Sequence, residues 1–103
     1  MAINLTAVKT SNDIDWRYAR VRYMEIIDGQ DAKVTFACYR SKANYDAALA
    51  ATPPKTPNIV YSIQATIPNA TMIAGTKSYH KVAEDYVVAD VNSELYQGNI
   101  VAN

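Results

Sequence analysis

The feature that most constrains this chain is Asp28-Gly29, set between two strand-like runs at 15–27 and 32–41. Glycine takes a positive φ without a Cβ clash, so Asp-Gly between such runs folds the chain back as a β-hairpin. A two-residue turn pairs Ile27 with Gln30. That register sets Tyr23 opposite Val34, Val21 opposite Phe36 and Ala19 opposite Cys38, six residues on one face, the expected core face. A longer loop slides the pairing by two residues and keeps that face.

The other face of the hairpin carries Trp16, Tyr18, Arg20, Arg22 and Met24, answered by Lys33, Thr35, Ala37 and Tyr39. Aromatic and arginine side chains together make up interface hot spots. Arginine stems also lie over tyrosine rings on faces that meet only water. Three readings follow for Trp16, Tyr18, Arg20, Arg22 and Tyr39: a protein partner, a solvated face, or nucleic acid. The last is disfavoured, because ten basic and ten acidic residues cancel where a phosphate-binding protein normally carries a basic excess.

Around this hairpin the pattern predicts further elements. Weak alternation at 3–10 reads as a first strand, and Ser11-Asn12-Asp13 as a turn. Ser41 is placed to cap a short alanine-rich helix at 42–50. Three prolines in 53–57 then impose an extended loop that cannot join a ladder. Ile59, Tyr61, Ile63, Ala65 and Ile67 alternate with polar neighbours, the mark of a half-buried strand, which Pro68-Asn69 ends. From 76 to 91 the period becomes helical, with Tyr79, Val82, Ala83, Tyr86 and Ala89 or Asp90 forming one stripe. Glu84 and Asp85 are expected on its wet edge, with Lys81 and Asp85 as an i,i+4 pair. Val87-Val88 keeps a late strand open as the alternative. The tail at 95–101 is expected to dock as a last short segment. The expected class is α+β: one domain over 1–103 with a small, mostly antiparallel sheet around the hairpin at 15–41. A short helix and one longer C-terminal helix pack on that sheet.

Chemistry is conspicuous mainly by what is missing. His80 is the only histidine and Cys38 the only cysteine, so neither a zinc site nor an internal disulfide is available. Ser78 beside His80 is too generic a neighbour to make a nucleophile–base pair. Asp28, Asp31 and Glu25 lie near the hairpin tip without calcium-loop spacing. Three glycines supply no phosphate-binding or dinucleotide-binding loop. No catalytic residue, cofactor, metal or small-molecule substrate is expected. No run approaches the roughly 18 apolar residues of a membrane span, and no signal-peptide pattern stands at the start; a cytoplasmic site of synthesis is expected. Asn4-Leu5-Thr6 and Asn69-Ala70-Thr71 match the glycosylation triplet by chance in such a setting. Eight tyrosines against one phenylalanine suit half-buried sheet faces and contact surfaces.

Several stretches together resemble small structural proteins of tailed bacteriophages. They are Asn4-Leu5-Thr6, Trp16-Arg17-Tyr18 at the entry to the long strand, the hairpin, and Tyr39-Arg40-Ser41-Lys42-Ala43 before a proline-rich loop. Tyr61-Ser62-Ile63, a tyrosine-bearing helix and Leu95-Tyr96-Gln97-Gly98 complete the likeness. The chain departs from the pattern at Val87-Val88-Ala89-Asp90, where such helices often end in a Leu-Lys-Thr-like stretch. The resemblance implies a virion structural role in the tail or baseplate, or as a capsid decoration, after synthesis in the host cytoplasm. The implied partners are other virion proteins or copies of the chain itself. The alternative is a small peptide- or nucleic-acid-binding module in a non-viral setting.

Overall fold

In the computed structural model, which describes residues 2–101, a five-stranded antiparallel sheet runs in the order β4-β3-β2-β1-β5. Its strands are β1 (Ala2–Ser11), β2 (Ile14–Glu25), β3 (Ala32–Tyr39), β4 (Tyr61–Ile67) and β5 (Asn99–Val101). The helices are α1 (Lys42–Ala50), α2 (Asn69–Ile73) and α3 (Tyr79–Ala89). The fold is therefore α+β.

Two tight turns drive the meander of β1, β2 and β3. At the first, Asn12 and Asp13 take φ of 51° and 62°, and Ser11 pairs directly with Ile14. Two consecutive positive φ values match the right-handed twist of a hairpin, and short Asn and Asp side chains tolerate them. At the second, Gly29 has φ 76° and the Gln30 amide donates to the Ile27 carbonyl at 3.0 Å, as the Asp-Gly signal predicts.

Below that turn the expected register holds only in part. Ala19 faces Cys38 and Val21 faces Phe36, but an irregularity between Val21 and Tyr23 places Tyr23 opposite Thr35 and Met24 opposite Val34. One extra residue in one strand reverses the face of everything beyond it. Met24 thus packs against the core, whereas Tyr23, expected inside, is 58% exposed.

A larger irregularity lies between β1 and β2, where the register shifts between Asn4 and Lys9. Carbonyls released from the ladder need other donors. Arg17 supplies them: its Nε and one terminal nitrogen donate to the Leu5 carbonyl at 3.2 and 3.0 Å, and that nitrogen also donates to Thr6 at 2.9 Å. Alternation breaks here, so Trp16 joins the same buried cluster as Ala19, three residues on. Trp16 is 0% exposed and stacks on Tyr61 with ring centroids 5.8 Å apart. Its expected place on the wet face is thereby corrected.

The helical half matches the expectation at α1 and departs from it further on. Ser41 accepts from the Asn44 amide at 3.1 Å, and α1 spans the expected residues. After Pro68, where only the end of a strand was expected, Asn69–Ile73 forms α2, which buries Met72. The helix expected over 76–91 is confined to Tyr79–Ala89 and capped by Ser78. Its buried side is Val82, Ala83, Glu84 and Val87, while Tyr79 at the predicted stripe is half exposed. Val82, Ala83 and Val87 share one cluster with Val34, Phe36, Ile67 and Met72. Within the expected docking segment at 95–101, Asn99–Val101 forms β5, with Ile100 opposite Ile3.

Candidate interaction surface

Helix α1 reaches the opposite side of the sheet through one aromatic side chain, Tyr45. Its ring meets Tyr39 edge-on at 4.9 Å and Tyr18 at 5.5 Å between centroids. The Arg20 guanidinium lies 4.8 Å from the Tyr45 centroid and donates to the Tyr18 hydroxyl at 3.0 Å. Cation–ring attraction and edge-to-face contact each contribute roughly 0.5–1.5 kcal/mol. Ala37, a short side chain, stands opposite Arg20.

This arrangement sorts the five residues singled out from sequence. Tyr18, Arg20 and Tyr39 come together under α1; Tyr18 is fully buried, while Arg20 and Tyr39 are half-buried. Arg22 is exposed farther along the same strand. Trp16 lies in the core and belongs to no exposed surface. Two members were missed. Tyr23 reaches the surface only because of the β2 irregularity, and no local signal announces that. Tyr45 was legible in principle as the one aromatic residue on an alanine-rich helix.

The open part of the face is basic. Arg22 and Lys33 are exposed and make no hydrogen bond or ion pair among the described residues. Tyr23, whose hydroxyl lies 3.4 Å from Glu25, completes the patch. Burial and the neighbouring Tyr45 hold the Tyr39 phenol above its ordinary pKa, so it stays a neutral donor. Beside the cluster, α1 and the proline loop enclose a groove of about 440 Å³ lined by Tyr39, Asn44, Tyr45, Ala48, Pro57 and Val60. The loop is fastened to α1 by the Lys55 amide donating to the Ala48 carbonyl at 2.9 Å.

A second polar cluster joins β1, β2 and β4 to the loop before β5. The Glu94 carboxylate accepts from Ser11 at 2.8 Å and Tyr61 at 3.1 Å; Ser11 accepts from Trp16 Nε1 at 3.1 Å. Lys9 donates to the Glu94 carbonyl at 2.9 Å. Each donor finds its acceptor, and the cluster acts as a staple for the loop. Nearby, burial and then the Glu94 charge push the Cys38 thiol up to about 12, which leaves no thiolate at neutral pH. His80 is exposed, and Ser78 is occupied as a helix cap. Among the described residues no three His, Cys, Asp or Glu side chains gather as a metal site, and no helix is long and apolar enough to cross a membrane.

No protein family matches the chain, and no curated protein or solved structure matches it.

Proposed function

We propose that this chain is a non-enzymatic structural or assembly protein of a tailed-bacteriophage virion, a tail or baseplate component or a capsid decoration. It would be made in the host cytoplasm and act by protein contacts with other virion proteins or with itself. The contact face is the open side of the sheet: Arg20, Arg22, Tyr23, Lys33, Tyr39 and Tyr45. In this reading α3 is the longer helix packed across the sheet, and it leaves that opposite side free.

One observation carries the reading. The open face holds a pre-organised arginine–tyrosine cluster beside exposed Arg22 and Lys33, which have no ion-pair partner among the described residues. Rigid aromatic anchors and arginines lose little side-chain entropy on docking, and an acidic or carbonyl-rich partner surface would complement them. The same patch also supports the second reading, a nucleic-acid-binding module, because bases stack on tyrosine and phosphates pair with arginine and lysine.

The test is Arg22→Glu combined with Tyr23→Ala. Both sites are exposed, so the variant is expected to fold and to be lost from assembled particles. Normal incorporation of the folded double variant would count against this face. A salt titration against single-stranded and duplex DNA separates the second reading, which requires binding that weakens steeply with salt.

A further inference from the structure

The two edges of the sheet are treated differently. On one edge β5 pairs only with Ala2 to Asn4, and the rest of β1 carries the register shift and Lys9, two of the usual protections against unwanted pairing. The other is β4, seven residues long and paired with β3 in one unbroken register from Ala32↔Ile67 to Cys38↔Tyr61. Edge strands are normally defended by a lysine or other charge, a proline or a bulge. Tyr61-Ser62-Ile63-Gln64-Ala65-Thr66-Ile67 has no charge and no proline, and its register shows no shift. Among the described residues, no hydrogen bond outside the β3 ladder reaches the β4 backbone. In a strand, alternate residues aim N–H and C=O away from the neighbour, so β4 turns a row of donors and acceptors away from β3, beside a cavity of about 200 Å³ that Ile63 to Thr66 share with Tyr86, Asp90 and the loop at 92–94.

The side chains say what fits that row. Around Gln64 the sequence is symmetric in chemistry: Ser62 mirrors Thr66, Ile63 mirrors Ala65, and Tyr61 mirrors Ile67. Two copies of β4 brought together antiparallel about a two-fold axis at Gln64 place hydroxyl against hydroxyl and apolar against apolar. On the axis, primary amide meets primary amide, and two such groups can exchange N–H···O=C bonds. No like charges are juxtaposed.

We infer that β4 is a self-association edge, which joins two copies of this chain through Gln64-centred antiparallel pairing into one ten-stranded sheet. The two-fold axis runs perpendicular to the sheet, so the two arginine–tyrosine faces become a single continuous surface. The inference stands on the sheet edge and does not depend on what that face binds.

The experiment is light scattering and sedimentation of the full chain at high micromolar concentration, with three variants beside it. Wild type is expected at twice the chain mass of 11.4 kDa. Ser62→Lys with Thr66→Lys sets two like-charge pairs across the axis and is expected to raise the dimer dissociation constant about tenfold or more. Ser62→Glu with Thr66→Glu does the same, and an equimolar mixture of the lysine and glutamate variants restores the dimer. All four positions of change in the pair are solvent-facing, and thermal melting checks the fold of each variant. Gln64→Lys, a single change on the axis, replaces any variant that melts early. Arg22→Glu is expected to leave the dimer intact, which separates this result from the contact proposed above. A wild-type monomer throughout, or a folded lysine variant that dimerises as well as wild type, overturns the inference.

Discussion

Replacing Glu84 by methionine is expected to stabilise the protein, and by an amount that depends on pH. Glu84 is 0% exposed on the buried side of α3. Neither carboxylate oxygen has a hydrogen-bond partner among the described residues. Burial raises its pKa above the ordinary glutamate value, with the positive charge of the terminal amino group, then His80 and Lys81, pulling partly the other way. The folded state therefore holds the proton more tightly than the unfolded chain does. The sign follows directly. Below the ordinary glutamate pKa both states are protonated, and ionisation carries no penalty. As pH rises through that value the unfolded chain ionises first, and stability falls by up to about 1.4 kcal/mol per pH unit until the folded pKa is reached. Above it the penalty is constant.

Methionine has similar volume and helix propensity and carries no charge. Removing an unsatisfied buried polar group recovers roughly 1–3 kcal/mol. For a chain of this length that corresponds to a melting shift on the order of 5–15 °C. Calorimetry and urea unfolding of both proteins across acid to neutral pH should show a gain that is largest at neutral pH and shrinks in acid. A gain independent of pH, or a loss at neutral pH, would mean that Glu84 is compensated in solution, and the reasoning would fail.

Other consequences can be measured alongside. Trp16→Ala removes a fully buried ring stacked on Tyr61 and is expected to cost about 3–5 kcal/mol in denaturant unfolding. Gly98→Ala would bring a Cβ within 2.5 Å of Ile3 Cγ2 and 3.1 Å of the Leu95 carbonyl oxygen; overpacking of roughly 1–3 kcal/mol should appear as a lower melting temperature. The Cys38 thiol, buried and pushed up to about 12, should resist alkylation in the native protein at neutral pH and react readily in urea. Rapid native labelling would refute its burial.

Part of the candidate surface was readable before the fold. Period-two spacing correctly puts Tyr18, Arg20 and Tyr39 on one side, because Tyr18 faces Tyr39 and Arg20 faces Ala37 in an unbroken stretch of ladder. It fails for Trp16 and Tyr23, which lie beyond an irregularity on either side of that stretch. A bulge leaves little local mark: its presence depends on what the neighbouring strands can pack against.

Short-range chemistry decided what the sequence alone could decide. Turns at Asn12-Asp13 and Gly29, the Ser41 cap, the proline break and the alternation of β4 each depend on a few adjacent residues, whose backbone preferences act whatever the rest of the chain does. Tertiary structure decided which side of the sheet each ring occupies, that Glu84 is enclosed, and that β4 is an edge. Those outcomes depend on residues far apart in sequence. Arg17 fills the gap in β1 across 11 and 12 positions, and Glu94 staples its loop to Ser11 across 83. Long-range contacts of that kind choose among registers that are locally almost equivalent, and a side chain's environment follows from the choice.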